Sequence, residues 1–339
     1  MDKLEALFAV PQEKWVEIDD SRTVRDLCAR GLLIGEEDDE LRRRDEVLTQ
    51  SEWQPAAACF HFATKLRHSD LRLPDDADQI SSEADAAAAR FVERHGPPPP
   101  HFHSLAGGAE IELPFVRGEG GLYEALARRR TARGFDPAHA LPLEQVALLL
   151  YEAFGCRAYS AIGPQIVALR KASPSGGGLH PVEVYPLIRS VEGLEPGLYH
   201  YSVGEHALEP VAALSTNEAA ETISAFTTGQ IWFADAAAVF VLTARFRRNF
   251  WKYRRHPKAY ATLLLDAAHL SQVFYLVCAD LGLGAFFTNL VNGGEIEEAL
   301  SLDGYSEGAL ALCGCGIPST QPSPLEPEFL PYVPGKTAI

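Results

Sequence analysis

Four successive prolines, Pro97 to Pro100, lie between Gly96 and His101. Proline has no backbone N–H, so this run suits neither a helix interior nor a central strand and favours a stiff, extended spacer. A chain of 339 residues is longer than one ordinary domain, and the prolines mark where it divides. We read residues 1–95 as an N-terminal module, 96–110 as a proline-rich linker and 111–339 as the main domain.

Before the prolines, residues 15–18 read as a short strand and Ser21 as a helix cap, with Val24, Leu27 and Cys28 at helical spacing and Gly31 ending the helix. Leu32 to Ile34, a charged turn over 36–44 and an aromatic stretch over 53–62 follow, an order compatible with a small winged-helix-like module. An alanine-rich helix is expected over 83–94. After the prolines, helices alternate with strands. Helices are expected over 120–130, 143–154, 258–281 and 295–300, and strands over 182–188, 197–201, 237–243, 285–288 and 309–313. This is an α+β layout. The helix over 258–281 carries Tyr260, Leu264, Ala267, Leu270, Phe274, Val277 and Leu281 on one stripe and is apolar around much of its circumference, so it should be central and buried.

The formal net charge of -16 disfavours broad binding to nucleic acid or anionic lipid. No apolar stretch is read as a membrane span, and the charged start, with Asp2, Lys3 and Glu5, is unlike a secretion signal. The cytoplasm is the expected location. The six cysteines form no CxxC pair and have no histidine at zinc spacing, so buried, reduced thiols are expected and no metal site.

Three segments could carry chemistry. The first, residues 128–135, crowds Arg128, Arg129, Arg130, Thr131 and Arg133 at a helix end. Guanidinium groups match phosphate bidentately, although cations also complement a helix C-terminus. The second is Pro174, Ser175, Gly176, Gly177, Gly178, Leu179, His180 and Pro181, leading into a strand. Successive glycines let a backbone approach a flat ligand closely; a flexible surface turn is the plainer alternative. The third, residues 247–255, interleaves cations with Phe250, Trp251 and Tyr253. Such a run could stack on single-stranded nucleic acid, form a snorkelling rim, or place Lys252 and Tyr253 in a pocket where either becomes a usable base.

In this order the segments resemble the nitroreductase-like FMN superfamily, and within it the SagB-type dehydrogenases that oxidise azolines in ribosomally made peptides. Residues 129–135 look like the family's Arg-Arg-Ser-x-Arg-x-Phe, which by that resemblance makes Arg129, Arg130, Thr131 and Arg133 FMN ligands. Residues 174–185 are similar to the Pro-Ser-Gly-Gly-x-x-His-Pro loop, which implies that Pro174, Ser175, Gly176, Gly177 and Gly178 reach the flavin ring across a dimer interface. Lys252 and Tyr253, followed by 264–272, resemble the Lys-Tyr element and long helix of the azoline dehydrogenases, and 193–201 their Gly-Leu-Tyr-x-Tyr strand. Two departures stand out. No basic residue follows the last strand at 314–318, where general nitroreductases often contact phosphate, and Ala267-Ala268 replaces a common Ala-Gly.

The resemblance implies a homodimer that converts thiazoline or oxazoline rings of a peptide into azoles, with Lys252 and Tyr253 as base and hydrogen-bond partner. It further implies reoxidation by oxygen, a possible cyclodehydratase partner and leader recognition by the N-terminal module. Two alternatives use other chemistry: an NAD(P)H-dependent nitro- or quinone-reductase, and a flavin-less subunit that presents peptide to a partner.

Overall fold

The computed structural model describes residues 22–29, 33–35, 38–66, 86, 89–99, 102, 111, 113–321, 323, 325–330 and 332. Its N-terminal part holds helices α1 (Arg22–Ala29), α2 (Asp39–Gln50) and α3 (Pro55–Ala63). The expected charged turn is mostly helix instead. Asp38 caps α2 by accepting from Leu41 N at 3.1 Å, Asp39 and Glu40 favour its first turn, and Arg42–Asp39 and Arg44–Glu40 pairs brace its exposed side. The aromatic stretch is also largely helical, opened by Pro55 and capped by Gln54. No strand occurs among the described residues before Ala158, and the strand expected at 15–18 lies outside them. Of the alanine-rich helix, 89–95 is described as helical.

Helices α4 (Gly121–Arg128) and α5 (Leu143–Phe154) precede a hairpin of β1 (Ala158–Gly163) and β2 (Ile166–Arg170). Strands β3 (Val182–Ile188), β4 (Gly197–Ser202) and β5 (Ala207–Ala213) follow, then α6 (Thr216–Phe226) and β6 (Ala238–Arg245). The chain ends its regular structure with α7 (Phe246–Tyr253), α8 (Ala259–Asp280), β7 (Gly284–Thr288), α9 (Gly293–Ala299) and β8 (Glu307–Gly316). Six strands form one sheet in the order β5-β4-β3-β6-β8-β7, with antiparallel neighbours.

Alternation along β6 shows why the sheet is covered on both faces. Ala238, Phe240 and Leu242 join one apolar cluster with α5 and α8, while Val239 and Val241 join another with Ile223 and Phe226 of α6 and Ile296 of α9. Every residue of this strand except its last is buried, as in a central strand between two helical layers.

The long helix departs from the expected burial. Tyr260, Leu263, Ala267, Leu270, Phe274 and Cys278 face the core, whereas Leu264 and Leu265 are 40% and 58% exposed. By length and composition α8 is also apolar enough to cross a membrane, contrary to the reading that no stretch qualifies. Its inward face packs against the sheet, in the same core as α5 and β6. All six cysteines are free; Cys278, Cys313 and Cys315 are buried as expected, but Cys59 is exposed and Cys28 and Cys156 are partly so.

Helices α2 and α3, with the turn between them, are built into the main core. Trp53, 4% exposed, packs its ring 4.5 Å from Phe246 and 4.9 Å from Phe250, and donates Nε1–H to the Tyr305 carbonyl at 3.1 Å. Lys65 and Glu297 form a buried ion pair at 2.7 Å. Residues 53–65 therefore complete the hydrophobic layer behind α7.

Candidate functional site

The arginine segment begins where α4 stops. Arg129 leaves the helix with φ -56° and ψ 120°, two residues earlier than the helix expected from sequence, so 129–133 runs as an extended loop. Ala132 N donates to the Ala285 carbonyl at 2.8 Å, fastening the loop to β7, and Phe135 is buried against Phe286. The Arg129 guanidinium lies over the Tyr275 ring at 5.4 Å, and the Thr131 hydroxyl is 3.0 Å from the Tyr275 hydroxyl. Burial holds the Tyr275 phenol above its ordinary pKa, so it stays protonated at neutral pH.

The donors of this loop suit an anion, and one is already present. Arg133 N donates to Glu326 Oε1 at 2.5 Å, and Glu326 Oε2 lies 3.9 Å from Arg130. Thus an acid, rather than the base common in general nitroreductases, follows the last strand. Among the described residues no carboxylate pairs with the Arg129 or Arg133 guanidinium, and both are only partly buried. A set of forked donors on a short loop fits a phosphate ester.

The glycine segment is fixed by a residue that sequence reading passed over. Ser175 Oγ donates to Asp266 Oδ2 at 2.5 Å and accepts from His180 N at 3.0 Å, while Gly176 N donates to Asp266 Oδ1 at 3.3 Å. Asp266 is buried on α8, which raises its pKa, although the bonds from Ser175 and Gly176 favour its charged form. Pro174 and Gly177 are exposed at the outer edge. Gly177 has φ +65°, in the region that favours glycine. A Cβ there would lie 2.5 Å from Lys252 Nζ and 2.8 Å from the Tyr253 hydroxyl. The missing side chain makes room for these two groups.

Lys252 and Tyr253 occupy the last turn of α7, a helix that sequence reading left as a segment following a strand. Lys252 is exposed, Tyr253 is half-buried, and the ammonium stands 5.6 Å from the neighbouring ring centroid. Arg254, next in the chain, has φ +44° and directs its guanidinium to Glu52 at 3.4 Å, away from a role beside Tyr253. Behind α7 stand Phe246, Phe250 and Trp53.

A polar layer lies beneath the glycine loop. Burial lowers the pKa of Lys171 and takes His180 down to about 4, helped in the latter case by the nearby Lys171 charge. His180 is therefore neutral at pH 7, with Nε2–H donating to the Leu169 carbonyl at 3.1 Å. The Ser173 hydroxyl is buried and has no hydrogen-bond partner among the described residues.

The structure brings Pro174 to Gly178 together with Lys252 and Tyr253, and sets Arg129 to Arg133 apart from them. Both groups lean on α8: Asp266 holds the glycine loop and Tyr275 the arginine loop, nine residues on, or about 14 Å along the helix. Asp266, Tyr275, Glu326 and Trp53 were missed. Asp266 left a signal, a carboxylate between Leu263 and Leu270 on an otherwise apolar face; Glu326 and Trp53 left none, because their contacts span long stretches of chain.

Comparison with known proteins bears on this geometry. The chain is 34% identical over 149 residues to the trifolitoxin-processing protein TfxB of Rhizobium leguminosarum bv. trifolii, covering 42% of this chain and 38% of that one. It is 28% identical over 163 residues to the microcin B17-processing protein McbC of Escherichia coli, covering 46% and 56%. The chain thus spans well under two thirds of either relative. Among solved structures, the E. coli microcin synthetase McbBCD complex with truncated pro-MccB17 bound aligns with a TM-score of 0.50 and 21% identity, over 70% of this chain and 93% of that one, a likeness of fold. The nitroreductase family profile matches residues 126–317, from the end of α4 to the end of the sheet. With that match covering more than half of the chain, and helices packed on both faces of its antiparallel sheet, the protein belongs to the nitroreductase family of oxidoreductases.

Proposed function

We propose that the protein is an FMN-dependent dehydrogenase that oxidises thiazoline or oxazoline rings in a ribosomally made peptide to azoles. The observation that supports this reading is the packing of Lys252 and Tyr253 against the glycine loop, where both side chains approach Gly177; in this reading one of them is the proton acceptor and the other its hydrogen-bond partner. Two relatives named as peptide-processing proteins support the choice of substrate class.

In this reading Arg129, Arg130, Thr131 and Arg133 hold the FMN phosphate, with charge-assisted bonds from the guanidiniums as the strongest polar contribution. Pro174, Ser175, Gly176, Gly177 and Gly178 present backbone to the ring. Bound FMN supplies the hydride acceptor for one ring carbon of the substrate. The protein removes the proton from the neighbouring carbon, through Lys252 or Tyr253, and the other member of the pair orients the ring. Molecular oxygen would be the final electron acceptor. As the resemblance implies, the complete pocket in this reading draws one loop from each subunit of a homodimer. A cyclodehydratase that makes the azoline is the natural partner.

The absorbance spectrum of the purified protein tests the cofactor assignment. Wild type should carry a flavin band, and Arg129→Ala with Arg133→Ala should lose it. Full flavin retention in the double variant would contradict the phosphate assignment, and rapid NAD(P)H oxidation with nitro or quinone substrates but no azole formation would favour a reductase.

A further inference from the structure

A cavity of about 570 Å³ opens beside α7, between that helix, β2 of the hairpin and the start of β8. Its apolar wall includes Ile166, Val167, Leu179 and Trp251. Trp251 is 49% exposed, and its neighbour in the chain is Lys252. Leu179 belongs to the loop whose Gly177 packs on Lys252, so one wall of the cavity and the proposed reaction site share a loop.

The charges in the cavity are unequal in their freedom. Arg245 is paired with Glu183 at 2.6 Å, and Arg248 Nε donates to the Leu179 carbonyl at 3.0 Å. Glu307 accepts from the Thr243 hydroxyl at 2.6 Å and from the Tyr185 hydroxyl at 3.1 Å. Arg247 is exposed, with no carboxylate and no hydrogen-bond partner among the described residues. In a chain of net charge -16, a free guanidinium beside an exposed indole selects for a ligand that is acidic at one point and apolar at the next.

Distance along the helix sets the spacing. Arg247 and Trp251, which both line the cavity, stand one turn apart on the same side of α7, about 6 Å along the helix, and an extended peptide advances about 3.3 Å per residue. We propose that this groove binds the stretch of substrate peptide flanking the reacting ring, in extended form, with an acidic side chain set against Arg247 and an apolar side chain about two residues away laid on Trp251. This rests on the azoline-dehydrogenase reading for the identity of the ring, and adds to it a determinant of which peptides are accepted.

Binding can be read without turnover, which separates the two claims. The probe is a short fluorescein-labelled peptide of glycine, leucine, phenylalanine and glutamate, compared with its glutamine and lysine counterparts, by anisotropy on the full chain supplemented with FMN. The glutamate peptide should bind about ten-fold tighter than the glutamine one at low salt, with the difference shrinking as salt is raised. Arg247→Gln should abolish that preference, Arg247→Glu should turn it toward the lysine peptide, and Trp251→Ala should weaken all three. Equal binding of the glutamate and glutamine peptides, or a preference that survives both Arg247 variants, overturns the proposal. So does displacement of the glutamate probe by an equal or lower concentration of oligo(dT), which would give the groove to single-stranded nucleic acid. Charge discrimination without azole formation would leave the groove standing and remove the proposed chemistry; azole formation without charge discrimination would do the reverse.

Discussion

A Cβ on Gly177 would lie 2.5 Å from the Nζ of Lys252, so the glycine loop and the last turn of α7 are in contact through an absent side chain. Gly177→Ala must therefore push Lys252 and Tyr253 aside as well as strain a backbone at φ +65°. Misplacing groups that must act within hydrogen-bond reach typically costs about 100-fold in rate. Turnover of an azoline peptide should fall by that order. Gly193→Ala is the matched control: φ is +71° there but nothing lies within 4 Å of the new Cβ, so its rate should stay near wild type.

Trp53 links the N-terminal helices to the same turn. Truncation to alanine removes an indole packed on Phe246, Phe250 and Tyr260 and should destabilise the protein by about 3 to 5 kcal/mol in chemical denaturation. Because α7 rests on that indole, turnover per folded molecule should drop too. An unchanged denaturation midpoint would mean that these helices do not complete the core.

The ion pair of Lys65 and Glu297 offers a second test of the same joint. With side chains only 4% and 9% exposed, replacing Lys65 by methionine leaves a buried carboxylate that still bonds Ala309 N but has lost its cation. Such losses cost about 3 to 5 kcal/mol. Lys65→Met with Glu297→Gln should recover part of the loss, since no buried charge then remains.

Two histidines give stability opposite dependences on pH. His61 is pushed down to about 3, first by burial and then by the Lys65 charge. Its folded pKa lies below the unfolded value, so its contribution is present above about pH 6.5 and is lost as pH falls toward 3. His200 is raised to about 9, chiefly by its hydrogen bond to Glu183 and also by Glu209, against a smaller opposing effect of burial. That contribution is full below about pH 6.5 and disappears as pH rises through 9. Melting temperatures across pH should show His61→Phe flattening the acid limb and His200→Gln flattening the alkaline one. Parallel curves for wild type and variants would contradict both assignments.

Much of the main domain was legible because its signals are local. Strand β3 and helix α5 were bounded correctly by alternation and by the closing Gly155, and α8 to within a residue at each end. Helix α6 was missed although Ser215 and Glu218 form a capping box at its start, and the hairpin was missed because its strands are exposed on both faces and lack an apolar rhythm. Charged residues at 36–44 read as a turn since charge alone does not separate a solvated helix from a loop; the Asp38 cap decides it. The three chemical segments were visible as composition, but what joins them was not. Asp266 and Tyr275 act from one helix on two distant loops, and Trp53 reaches α7 across nearly two hundred residues, relationships that only the fold creates.

The most direct test is the mass of an azoline-containing peptide after incubation with the FMN-loaded protein under air, for wild type, Lys252→Ala and Tyr253→Phe, with flavin content and melting temperature matched. Wild type should remove two hydrogen atoms per ring and yield the azole, while both variants keep their flavin and lose at least about 100-fold in rate, the range of general acid–base catalysis. Near-normal azole formation in both variants would contradict the role of the pair, and an unchanged peptide mass with wild type would contradict azoline oxidation itself.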